Sequence, residues 1–126
     1  MPLKVIVADE DLHSHKVIHD ILGISLKDVK ITRALNLESF LSKLAKGRSP
    51  FDLVLFDFHF ESPHGLAGLL DILKQRPELA GKVVLLNESA DEITSNPQTA
   101  ALQYIIKPYS LDTFSSVVKR FRASDI

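Results

Sequence analysis

Three acids, an amide and a lysine stand where apolar runs of this chain stop. Asp9 and Glu10 follow the run LKVIVA, Asp57 closes FDLVLF, Asn87 follows KVVLL, and Lys107 follows LQYII. Carboxylates brought to close range repel one another and require a cation. A hard divalent ion with oxygen ligands meets that need. Mg²⁺ suits better than Ca²⁺, because the acids are few and leave room for water and a phosphoryl oxygen. A carboxylate is also a nucleophile towards phosphorus, forming an acyl phosphate. Phosphoryl transfer needs in-line positioning and neutralisation of charge on the phosphoryl oxygens; the ion supplies part of that and Lys107 a second positive charge. All of this requires a fold in which the ends of four separate runs meet.

The patterning predicts such a fold. Leu3 to Ala8 is a β-branched run, and from there to about Leu26 the period turns helical, with Val17, Ile18, Ile21, Leu22 and Ile24 expected on one face. Val29 to Ala34 alternates as a short strand. Asn36 is placed to cap a helix whose stripe of Leu37, Phe40, Leu41 and Leu44 ends at Gly47. Phe51 to Phe58 is continuously apolar, as a strand buried on both sides must be. A third helix carries Leu66, Leu69, Leu70 and Leu73 and stops before Pro77. Lys82 to Leu86 and Leu102 to Ile106 read as further strands. Glu88 to Ala101, interrupted by Pro97, allows only a short or bent helix. Ser110 caps the last helix, with Leu111, Phe114, Val117, Val118 and Phe121 inward.

Five strands alternating with five helices imply a doubly wound five-stranded parallel sheet of α/β class, with right-handed crossovers. Function in such folds lies outside the carboxyl ends of the strands, where the five polar residues fall.

Composition narrows the function classes. The chain has 126 residues, 45% hydrophobic and 25% charged, and is expected to form a single domain over 1–126. It has no cysteine, so disulfides and thiolate metal sites are excluded. A net charge of −1 gives no general reason to bind nucleic acid or an anionic membrane. No segment approaches membrane-spanning length, and a cytoplasmic location is the expectation.

VIVADED, FDLVLFDF followed after six residues by Gly65, and YIIKPY together resemble the receiver domain of two-component response regulators, a (βα)5 flavodoxin-like fold. The resemblance runs from Leu3 to about Phe121. It implies that Asp57 is the phosphoacceptor and that Mg²⁺ is held by Asp9, Glu10, Asp57 and the backbone carbonyl of His59. It further implies a cis peptide bond before Pro108 that aims Lys107, and a switch in which Asn87 and Tyr104 respond to phosphorylation. The implied partners are a histidine kinase or phosphotransfer protein and a downstream protein or fused output domain. Homodimerisation through the face of the fourth helix, fifth strand and fifth helix belongs to the same expectation. The implied role is signalling, not enzymatic turnover.

The chain departs from the receiver pattern at several positions. Asn87 replaces the usual Thr or Ser, Phe60-Glu61 replaces Met-Pro, and His64 precedes Gly65 where an acid is typical. The segment from Asn87 to Lys107 spans 107 − 87 = 20 residues, shorter than usual. These departures keep open a second reading, a pseudo-receiver that binds partners without a working switch. A phosphatase is disfavoured because His59 stands where a second Asp is needed. An FMN site is disfavoured because Asp9, Glu10 and Asp11 replace a phosphate loop.

The remaining polar residues have plainer readings. His15 and His19, spaced i, i+4, are expected on a solvated flank of the first helix, and His13 and His59 lie nearer the candidate site. Lys119, Arg120 and Arg122 are expected to complement the last helix dipole.

Overall fold

The computed structural model describes residues 3–26, 28–45 and 51–123. Five strands, β1 (Leu3–Ala8), β2 (Val29–Ala34), β3 (Leu53–Asp57), β4 (Val83–Asn87) and β5 (Gln103–Ile106), form one parallel sheet in the order β2-β1-β3-β4-β5. The helices are α1 (Leu12–Ser25), α2 (Leu37–Ala45), α3 (His64–Gln75), α4 (Ala90–Thr94) and α5 (Leu111–Ala123). The register sets Val7 beside Leu55 and Phe56 beside Leu85, so β1, β3 and β4 end at one rim.

Alternation along the central strands divides the core in two. Val5, Val7, Leu53, Leu55, Val84 and Leu86 meet Ile18, Ile21 and Leu22 of α1 and Phe114, Val118 and Phe121 of α5. Ile6, Val54, Phe56 and Leu85 face the other way, against Phe40 and Leu44 of α2, Leu69 of α3 and Ile93 of α4. Phe40, Phe56 and Phe60 form a tilted aromatic cluster there, with centroids 5.2–6.2 Å apart. Phe60 thereby anchors the β3–α3 loop in the core, and Gly65 is required beside it. A Cβ on Gly65 would stand 1.7 Å from the Phe60 carbonyl oxygen.

The predicted caps form. Asn36 accepts from the N–H of Ser39 at 2.8 Å, and Ser110 from that of Thr113 at 3.4 Å. The expected end of the second helix at Gly47 lies outside the described residues. The helix after β4 is only five residues long, capped by Ser89 and followed by the turn at Pro97. The Thr99 hydroxyl, fully buried, closes that turn on the Ile93 carbonyl at 2.7 Å.

The structure corrects several expectations. Ile24 is 72% exposed, because it sits six positions after Ile18 and so about 120° off the buried stripe. Leu26, at the helix C-cap, is buried instead. Lys82 belongs to a 3-10 helix, Pro77–Lys82, so β4 starts one residue later. His15 is not on a solvated flank: only 2% of it is exposed. It lies seven positions before Leu22, nearly in line with it along the helix, whereas His19 is exposed. Among the described residues no helix is long and apolar enough to cross a membrane.

Candidate functional site

Asp9, Asp57 and Lys107 come together at the carboxyl rim of the sheet. The Lys107 ammonium donates to Oδ2 of Asp57 and lies 3.6 Å from Oδ2 of Asp9. Its backbone is fixed by an N–H donated to the Asn87 carbonyl at 2.8 Å, and the Lys107–Pro108 peptide is cis. Burial works hardest against the lysine's charge. It is outweighed by the hydrogen bond to Asp57 and the nearby negative groups, so the ammonium holds its proton well above the ordinary lysine range.

Each carboxylate is oriented by the backbone that follows it. Oδ1 of Asp57 accepts from the N–H of His59 at 2.8 Å, and Oδ1 of Asp9 from that of Asp11 at 2.9 Å. Asp9 is only 4% exposed, and its Oδ2 has no hydrogen-bond partner, only the lysine at ion-pair distance. Asp9 is further pinned from beneath by His15, whose Nε2 lies 2.5 Å from the Asp9 carbonyl oxygen. A carbonyl can only accept, so the proton is on Nε2.

Beside Lys107, Tyr109 and Ser14 bury their hydroxyls without a partner at good geometry. Burial raises the Tyr109 phenol to about 12, with the nearby Ser14 hydroxyl and Lys107 charge pulling the other way. The cleft above them is also lined by His13.

The other expected site residues stand differently. The Glu10 carboxylate accepts from the N–H of Glu61. The His59 carbonyl accepts from the N–H of Ser62 at 3.1 Å, just before a second cis peptide, Ser62–Pro63. Asn87 is buried, and its amide donates to the Ser89 carbonyl at 3.0 Å and to Oε1 of Glu92 at 3.2 Å. Glu92 also meets Nε2 of His59 at 3.2 Å. Tyr104, on the edge strand beside Leu85, is 38% exposed. Sequence reasoning missed Ser14, His15, Glu61, Glu92 and Tyr109. The helical phase of Ser14 and His15 with Ile18 and Leu22 was the available signal.

Among the described residues no three His, Asp or Glu side chains are grouped closely enough to hold a metal, and Glu10 accepts from the Glu61 N–H. The donor chemistry nevertheless fits a hard cation. Asp9 and Asp57 carry two negative charges against one from Lys107, and the buried Oδ2 of Asp9 lacks a donor.

No protein-family model matches the chain. It is 26% identical over 119 residues to a probable C4-dicarboxylate response regulator, DctR of Bacillus subtilis, covering 94% of this chain and 52% of that protein. It is 25% identical to the two-component response regulator ARR2 of Arabidopsis thaliana, covering 91% of this chain and 17% of that one. The chain thus spans about half, or less, of these relatives. The receiver domain of NtrX from Brucella abortus superposes with a TM-score of 0.73 at 26% identity, covering 94% of this chain and 96% of that one.

Proposed function

We propose, for a chain whose fold and relatives are those of response-regulator receiver domains, that Asp57 accepts a phosphoryl group from a histidine kinase or phosphotransfer protein. The observation that carries this is the Lys107 ammonium bridging Asp57 and Asp9. In the transfer a carboxylate oxygen of Asp57 forms a P–O bond as the P–N bond of the donor phosphohistidine breaks, and the departing imidazole takes up a proton. Asp57 is held for that attack by the His59 N–H. Lys107 first neutralises the carboxylate and then the charge that moves onto the phosphoryl oxygens.

Asp9, Glu10, Asp57 and the His59 carbonyl would hold Mg²⁺, which when bound offsets charge on the phosphoryl oxygens. Glu10 would join that set on leaving the Glu61 N–H. The downstream response is read at the face of α4, β5 and α5 by a partner protein, a fused output domain or a second copy.

A second reading, a pseudo-receiver, is favoured by one observation: the Asn87 amide is already committed to Ser89 and Glu92. Beryllofluoride with Mg²⁺ separates the two. Amide shifts at Asp57, Lys107 and Tyr104 are expected of a receiver; silence at all three supports the pseudo-receiver.

A further inference from the structure

Glu61 has three properties that phosphoryl acceptance at Asp57 leaves unused. Its backbone sits in the left-handed region at φ 44°, which a residue with a Cβ keeps only when its surroundings impose it. Its N–H donates to Oε1 of Glu10. Its own carboxylate accepts from the N–H of Leu37, the first residue of α2. Asn36 does not compete for that helix end, because its side chain takes the N–H of Ser39. One residue therefore joins the acidic end of β1, the β3–α3 loop and the first turn of α2.

Resting on the metal set proposed above, we propose that Glu61 is a positioning residue for Glu10, a latch that keeps this carboxylate off the Asp9–Asp57 pair until a divalent ion competes for it. The side chain fixes the loop to α2, and the loop in turn aims the N–H at Glu10. Both contacts are donated to carboxylates, and both constrain the same residue. A cation that takes Glu10 must release the Glu61 N–H, and that release reaches Leu37 through the Glu61 carboxylate. Metal occupancy is thereby read on α2, a helix on the opposite side of the sheet from α1 and α5.

The test is a Mg²⁺ titration of the full chain, followed through backbone amide resonances, in wild type, Glu61→Gln and Glu61→Ala. In wild type the amides of Glu61 and Leu37 shift with the same midpoint as those of Asp9 and Asp57. Glu61→Gln keeps an acceptor for Leu37 and titrates close to wild type. Glu61→Ala loses the anchor, so the loop relaxes and frees Glu10. Its midpoint falls about tenfold or more, the worth of one charge-assisted hydrogen bond, and the Leu37 response disappears. Shifts at Asp9 and Asp57 with Glu61 and Leu37 silent would overturn the latch and leave the metal site standing, as would an unchanged midpoint in Glu61→Ala. Silence at all four positions would overturn both.

Discussion

The side-chain amide of Asn87 lies 3.2 Å from Oε1 of Glu92, tying the buried end of β4 to the first turn of α4. To donate to a phosphoryl group on Asp57, that amide must give up either Glu92 or Ser89. The exchange lowers the difference in affinity between two states that drives a switch, and a deficit of about 1–2 kcal/mol reduces the population ratio roughly tenfold. Asn87→Thr should therefore give larger amide shifts at Tyr104 on addition of beryllofluoride and Mg²⁺ than wild type gives. Equal shifts in the two proteins would show that Asn87 does not damp the response.

Lys107→Ala removes the positive charge between Asp9 and Asp57. The two carboxylates then face each other partly buried, and the fold should lose about 1–3 kcal/mol in urea unfolding at neutral pH. Mg²⁺ should restore more stability to this variant than to wild type, because the ion replaces the missing charge. Unchanged unfolding in the variant would contradict the ion-pair role.

Tyr109 sets an alkaline limit. Folded, its phenol keeps the proton up to about 12, whereas the ordinary tyrosine value is 10.0. Between those values the unfolded chain has released a proton that the folded chain retains, so stability falls as pH rises, by about 2–3 kcal/mol in all. Lys107 acts in the same direction: its contribution is complete below the ordinary lysine value of 10.5 and is lost as pH climbs through its raised one. Tyr109→Phe should flatten the decline between pH 10 and 12, measured by thermal unfolding across that range. An identical decline in the variant would place the alkaline sensitivity elsewhere.

His15→Leu keeps most of the buried volume but leaves the Asp9 carbonyl without the imidazole N–H. A cost of about 1–3 kcal/mol is expected, the penalty for an unpaired buried acceptor. A variant as stable as wild type would mean that water or a backbone shift replaces the contact.

Much of the fold was legible because its central strands are apolar runs with β-branched or leucine residues throughout, and only burial on both faces accounts for them. Asp9, Asp57, Asn87 and Lys107 were legible for the same reason: each marks where such a run stops, and a parallel sheet brings those ends to one rim. The contacts of Glu61 and Glu92 were not. Glu61 meets residues 24 and 51 positions away, and Glu92 meets His59 at 33. Neither acid lies on a periodic pattern that would announce it. His15 and His19 are both expected on the flank away from Ile21, but only His19 lies there; His15 is in phase with Ile18 and Leu22, which places it under Asp9.

Phosphoryl acceptance at Asp57 is the central claim, and intact-mass measurement after incubation with acetyl phosphate and Mg²⁺ tests it most directly. Wild type is predicted to gain the mass of one phosphoryl group, and Asp57→Asn to gain none. Label that persists in Asp57→Asn, or a wild type that never acquires it, would contradict the account.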